Sequence, residues 1–356
     1  MSLEHSMSGL GTRPVRRTFK PAVVRFEDRI VPDGTTVTAA APQVYAVGSD
    51  GGNPAEVIVY DNTGAKKFDF IAYPNFQGGV HATMGDVTGD GVPDIITGAG
   101  PGSTPTVKVF DGVTGRQIMS FDAYDKSFRG GVNVAVGDID GDGRMDIVTG
   151  AGPGGGSHVK VFSGAGLFPT EPFAASHVTP GPDNYIIRQF FAYDPQYLVG
   201  ARVAVADVSG DGRADIITAP NQNGGPHIRV FSGTDGTLYR EWFAYDAKFT
   251  GGVFVSAGDL NGDGYAEVIT GMGANGVGEV KVFDGLTNRV TDSFIPDSAG
   301  IRISSRIGVA DFNGDGNLDI LVGNLNSINA YDGRTFTRIG GLTPYDPTHL
   351  GGLFFS

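Results

Sequence analysis

The chain has 356 residues, with 57 glycines, 20 prolines, 40% hydrophobic and 18% charged residues, which is too apolar for a disordered chain and lacks the glycine period of collagen. It has no cysteine, which excludes disulfides, cysteine-ligated zinc and thiol catalysis. A net charge of −13 argues against a nucleic-acid binder, and no apolar run reaches the roughly 18 residues of a membrane span.

Residues 1–38 are basic (Arg13, Arg16, Arg17, Lys20, Arg25 and Arg29) and carry neither strand nor helix periodicity. They also lack the apolar core of an ordinary secretion signal. The expectation is a disordered leader or tail ahead of a single domain over 39–356. From about Gln43, "PQVYAVGSDGGNPAEVIVYDNTGAKKFDFIAYP" reads as three strands. After it the chain repeats. Acidic loops begin at Asp86, Asp138, Asp207, Asp259 and Asp311, spaced by 52, 69, 52 and 52 residues; the long interval holds a 17-residue insertion within Ser163–Tyr185.

One unit runs "GGVNVAVGD", the acidic loop, "DIVTGAGPG", "HVKVF" and "RQFFAYD". "GVNVAV" and "DIVTG" are short β-branched runs, and "VKVF" alternates apolar and basic residues as a strand with one buried face does. Four short strands in about 52 residues make one propeller blade. The last residues, "PYDPTHLGGLFFS", match the end of a fourth strand and the first strand of another blade. Pairing Gly351–Ser356 with the segment starting near Gln43 would complete a shared blade and remove both sheet edges. The expected fold is therefore an all-β, six-bladed propeller of four-stranded blades, with seven blades as the alternative.

The loops share a nine-residue pattern. They read Asp86, Thr88, Asp90, Val92, Asp94; then Asp138, Asp140, Asp142, Arg144, Asp146; then Asp207, Ser209, Asp211, Arg213, Asp215; then Asp259, Asn261, Asp263, Tyr265, Glu267; and Asp311, Asn313, Asp315, Asn317, Asp319, at positions 1, 3, 5, 7 and 9. Positions 4 and 6 are glycine throughout, and position 2 is apolar. Positions 1, 3, 5 and 9 always offer a side-chain oxygen, and the carbonyl of position 7 is a further candidate donor. Oxygen donors around a glycine turn suit a hard cation, and calcium accepts six to eight oxygens in flexible geometry. The loops differ from an EF-hand, which closes with a glutamate at position 12, where this chain has Thr97, Thr149, Thr218, Thr270 or Val322. Sixteen of the 39 acids lie in the loops, so about five calcium ions would bring −13 to −3. Solvated turns are the bland alternative, since Asp and Gly favour turns anyway. The second loop is the only one with an acid, Asp140, at position 3, and should bind calcium tightest.

These loops, followed by "ITGAGPG" at Ile96–Gly102 and "VTGAGPG" at Val148–Gly154, resemble FG-GAP repeats, the blades of the integrin α-chain propeller, also found in bacterial VCBS-type surface proteins. The resemblance covers about residues 42–356. It implies a calcium-stabilised propeller for adhesion or recognition. Integrin propellers have seven blades and longer repeats, which this chain departs from.

Little else points to chemistry. His5, His81, His158, His177, His227 and His349 form no zinc spacing, and His158 and His227 occupy a repeating position that suits scaffold better than catalysis. Glu171, Asp183 and Asp297 lie outside the loops, with no sequence reason to converge as a glycosidase pair. Aromatics recur at the blade crossovers (Tyr73 and Phe76, Tyr124 and Phe128, Tyr193 and Tyr197, Tyr245 and Phe249) and favour packing between blades over sugar stacking. Gly78-Gly79, Gly130-Gly131, Gly251-Gly252 and Gly351-Gly352 would permit close backbone approach near the central channel. In the insertion, Phe168, Phe173 and His177 are candidates for recognition. The function expected is a noncatalytic calcium-binding module at the cell surface or outside the cell. Its ligand would be a protein or a glycan, with no nucleic acid and no membrane span. A polysaccharide-active lyase or hydrolase and a surface-layer spacer are the alternatives. Neither the ligand-binding residues nor the oligomeric state can be read from the sequence.

Overall fold

The computed structural model describes residues 44–169, 182–296, 304–324, 326–345 and 353–354. All of them belong to the second of two compact units, 41–356. The expected leader over 1–38 lies outside the described residues.

The described residues form six four-stranded antiparallel sheets, the blades of a propeller. The inner strands Val80–Gly85, Val132–Gly137, Ala201–Ala206, Val253–Gly258 and Arg306–Ala310 each open one blade. Strands two, three and four follow outward in chain order. Burial explains the composition of each layer. The second strands, such as Asp94–Ala99 and Asp146–Ala151, are buried at every residue and read as continuous apolar runs. The rim strands, such as Ile186–Phe191 and Leu238–Phe243, alternate in exposure, with one face turned to the blade and the other left open. In every blade the third strand slips register against the fourth one residue before its end, at Phe110, Phe162, Phe231, Phe283, Tyr331 and Tyr60. Such a bulge raises local twist, which a ring of splayed blades requires.

The sixth blade is shared between the two ends of the domain. Leu353–Phe354 pairs with Ser49 and Gly48 and completes the sheet of Val44–Ser49, Ala55–Asp61 and Lys66–Tyr73. The six-bladed ring and its closure therefore stand as read from the sequence. Tyr345 reinforces the seam, its hydroxyl donating to the carbonyls of Val47 (3.1 Å) and Glu56 (3.0 Å).

That contact repeats between neighbouring blades. The crossover tyrosines Tyr124, Tyr193 and Tyr245 donate to the third-strand carbonyls of His158 (2.9 Å), His227 (2.6 Å) and Glu279 (2.9 Å). A cation covers each ring: Lys160 at 5.5 Å, Arg229 at 5.2 Å and Lys281 at 5.0 Å from the centroid. The crossover aromatics thus hold blade to blade, although Tyr197 remains partly exposed. The glycine of "ITGAG" is equally local in cause: a Cβ on Gly98 would lie 2.3 Å from the Val132 carbonyl oxygen of the next blade. Gly130 of the inner-strand pairs meets the same limit, its Cβ position lying 2.1 Å from the Pro153 oxygen.

Candidate metal centres

All five acidic loops lie at the same end of the blades, between an inner strand and a second strand. Position 1 leaves the inner strand and position 9 opens the second, as with Gly137 before Asp138 and Asp146 at the head of Asp146–Ala151. Position 2 anchors the turn: Val87, Ile139, Val208 and Leu260 are buried, and Phe312 packs 6.2 Å from Tyr45.

The carboxylates first hold the loop in shape. Asp138 accepts from the backbone N–H of Gly141 (2.7 Å), Asp142 (3.1 Å) and Gly143 (2.9 Å). The same three bonds recur on Asp86, Asp207, Asp259 and Asp311. The turn requires positive φ at positions 4 and 6, +75° and +87° in this loop, which explains the paired glycines. Position 5 accepts from the N–H of position 7 in each loop: Val92, Arg144, Arg213, Tyr265 and Asn317. Position 3 also turns inward, with Asp140, Asn261 and Asn313 each accepting from the N–H of position 5.

Position 9 is the costly one. Asp94, Asp146, Asp215, Glu267 and Asp319 are all buried, at no more than 3% exposure. Each accepts a backbone N–H from position 2 or 3: for Asp146 these are Ile139 (3.0 Å) and Asp140 (3.3 Å), with Gly164 adding a third at 3.0 Å. Burial nevertheless outweighs these bonds. It pushes Asp146 and Asp319 up to about 6 and Glu267 up to about 7, and raises Asp94 and Asp215 as well. Asp140 is raised by its own burial and then by Asp142. The aspartates of the rim hairpins behave oppositely. Asp61, Asp111 and Asp332 accept from nearby threonine N–H and hydroxyl groups, which lower them. These turn aspartates are thus comfortable as anions, while the buried position 9 acids are not.

The structure brings carboxylates of Asp138, Asp140 and Asp146 within 4.8 Å of one another. A second trio, Asp263, Glu267 and Asp284, is equally close. Asp284 was missed by the loop pattern; it comes from "VKVFDG", whose recurring aspartate was available as a signal. The donor set fits a hard divalent cation, which supplies the countercharge that buried carboxylates lack. The position 7 side chains reach the preceding loop: Arg144 packs over Gly89, Arg213 over Gly141 and Tyr265 over Gly210.

The remaining candidates disperse. His158 stacks on Phe191 at 4.7 Å, and His227 on Phe243 at 4.8 Å beside Glu241. Both histidines are lowered by burial. Asp183 is exposed and lies 3.4 Å from Lys160. In the insertion, Ser163 caps a short helix, Gly164–Leu167. Phe168 packs against the core cluster of Phe121, Phe162 and Leu167 and accepts from Arg144, so it is a structural contact. Phe173, His177, Glu171, Asp297, His5 and His349 lie outside the described residues.

Comparison with known proteins accords with this geometry. The profile for the FG-GAP-like repeat matches residues 207–270, and that for the FG-GAP repeat matches 130–166 and 305–336. Integrin alpha pat-2 of Caenorhabditis briggsae is 31% identical over 58% of this chain, and that of Caenorhabditis elegans is 30% identical over the same share. The match spans 18% of the length of each of those relatives. A protein of unknown function from Bacteroides caccae shares the fold, with a TM-score of 0.50 at 10% identity over 87% of this chain and 96% of that one. The chain thus carries FG-GAP repeats on a propeller and is similar to integrin alpha chains over part of its length.

Proposed function

We propose that the five loops bind calcium and that the ring they brace is a noncatalytic recognition module for a protein or glycan, working outside the cell or on its surface. The observation that carries the calcium reading is the set of buried position 9 acids, all raised by burial although each accepts backbone N–H groups. Positions 1, 3, 5 and 9 would hold the ion, with the carbonyls of Val92, Arg144, Arg213, Tyr265 and Asn317 as further donors. Calcium supplies two positive charges to each loop, which turns an unfavourable acid cluster into a staple between the first two strands. The recognition reading rests on the integrin-like repeats and on a scaffold whose clustered acids lie in the loops. Extracellular calcium levels suit modules with dissociation constants of about 10⁻⁴–10⁻³ M.

Equilibrium dialysis tests the first half. About five calcium ions per chain are expected, and a chelator should lower the melting temperature. A stoichiometry of one or none, with an unchanged melt, would refute it. A glycan and protein array probed with and without calcium tests the second half; calcium-dependent binding to a defined class is the expected result. Hydrolysis or elimination of an arrayed polysaccharide would overturn the noncatalytic reading.

A further inference from the structure

The inner strands repeat closely except at the position five residues before each acidic loop. There the chain places His81, Asn133, Arg202, Phe254 and Arg306, at the end of the central channel opposite the acidic loops. Asp50 joins them from the closing blade, where no other blade has an acid at the matching place (Gly100, Gly152, Asn221, Gly273 and Leu325). Symmetry alone would make these positions alike, as it does the loops. Their divergence concentrates three kinds of polar group around one opening.

The arginines are arranged about the aromatic ring. The Arg202 guanidinium carbon lies 3.7 Å from the Phe254 centroid and that of Arg306 lies 5.2 Å from it. The two cations are therefore no farther apart than the sum of those distances, a span that one carboxylate can bridge with N···O contacts of about 2.8 Å to each. Arg306 pairs with Asp50. Asp50 is also felt by Arg202, though less than the charge of Arg306. One of the Arg202 terminal nitrogens donates to the Val253 carbonyl at 3.0 Å, and the Arg202 Nε is buried without an acceptor. Burial first, then the neighbouring Arg306 charge, pull Arg202 down to about 9, outweighing the attraction of Asp50. His81 adds no charge: burial first, then Arg202 and Arg306, hold it near 3 against the opposing pull of Asp50. Among the described residues, two guanidiniums against one carboxylate leave a single positive charge.

We propose that this end of the channel is a binding site for a monocarboxylate, taken between Arg202 and Arg306 over the edge of Phe254. One spare charge fits a monoanion and disfavours a phosphate dianion, which Asp50 would repel. The planar fork of arginine matches a carboxylate bidentately. Asn133, anchored by its amide to the Ala201 carbonyl at 2.8 Å, lines the same ring without charge. The site does not depend on metal in the loops, and its test is independent of the calcium reading.

Calorimetric titration of the full chain, run both with and without added calcium, tests the idea with four probes: acetate, acetyl-Gly-Glu-Gly-amide, its Gln counterpart and inorganic phosphate. Saturable one-to-one binding of acetate or of the Glu peptide, with none of the Gln peptide, is expected. Acetate binding would identify a free small acid as the occupant class; binding of the Glu peptide alone would identify an acidic side chain on a partner. Arg202→Gln should weaken the interaction about tenfold to a hundredfold, and Arg202→Lys less. If Arg202→Gln fails to fold, Asn133→Asp, which keeps both guanidiniums and cancels the spare charge, should also abolish binding. No heat with either carboxylate would overturn the assignment. So would undiminished binding by a folded Arg202→Gln, or tighter binding of phosphate than of the carboxylates.

Discussion

The two ends of the central channel are built on opposite plans. At one end five nine-residue loops copy the same bonds residue for residue, from Asp86 through Asp319. The channel beside them is a cavity of about 220 Å³ lined by Met84, Val136, Met145, Val205 and Leu318, apolar and unremarkable. At the other end the repeat is abandoned, and His81, Asn133, Arg202, Phe254 and Arg306 differ from strand to strand. Copying serves a task common to every blade, which is to hold the first two strands together. Departure from the copy marks a task that the ring performs once. Acid density, the loudest feature of the composition, thus belongs to the scaffold.

Removing metal should separate the two ends most sharply. If each loop contributes on the order of 2–3 kcal/mol at saturating calcium, chelation lowers the melting temperature by about 10–20 °C. A scanning calorimetry trace that shifts by less than a few degrees would place the scaffold's stability elsewhere. Gly98→Val should follow in severity. Its side chain meets the Val132 carbonyl of the next blade, and a loss of about 3 kcal/mol or more is expected in urea unfolding, equal with and without calcium. Within the loop end, Asp140→Asn should weaken one site about tenfold and Asn261→Asp strengthen another by a similar factor. Stepwise calorimetric titration reads both, and the ranking fails if the Asp140 loop proves among the weakest. Tyr345→Phe removes the two seam hydrogen bonds and should cost about 1 kcal/mol.

A pH slope is expected from the opposite end. His81 binds its proton near 3 in the folded chain against an ordinary 6.5. On acidification the unfolded chain takes up that proton first. The stability His81 contributes is whole above pH 6.5 and is lost progressively as the pH falls toward 3. His81→Asn should therefore lose less melting temperature than the parent over that window; comparing the two chains cancels the carboxylate terms common to both.

Sequence reading reached the blades because each carries its own local record. The period of 52 residues, the alternation in "VKVF" and the glycine in "ITGAG" all report contacts inside one blade or with the next. Ring closure was legible too, since "GGLFFS" repeats an inner strand without its loop. The clustering of the loop carboxylates was legible from spacing, although Asp284, which lies beside Asp263 and Glu267, escaped because it sits outside the nine-residue frame. The channel mouth was not legible. Its residues stand one per strand, about 52 positions apart, and their types differ, so no local pattern links Arg202 to Arg306 or either to Asp50. Only the closed ring brings them together. Phe168 misled for a related reason: an insertion suggests recognition, yet its first turn turns inward to fill core.

The seam formed by Leu353–Phe354 on Gly48 and Ser49 has a kinetic meaning. Five blades are contiguous in the chain and can form from nearby segments, but the sixth joins residues some 300 positions apart. Loop-closure entropy and contact order both place that pairing late in folding. Until it forms, Val44–Ser49 presents an open edge to other chains. Hydrogen exchange should therefore find Gly48 and Ser49 opening well before the matching strands of the other blades, and refolding yield should fall with protein concentration in proportion to how long that edge stays bare.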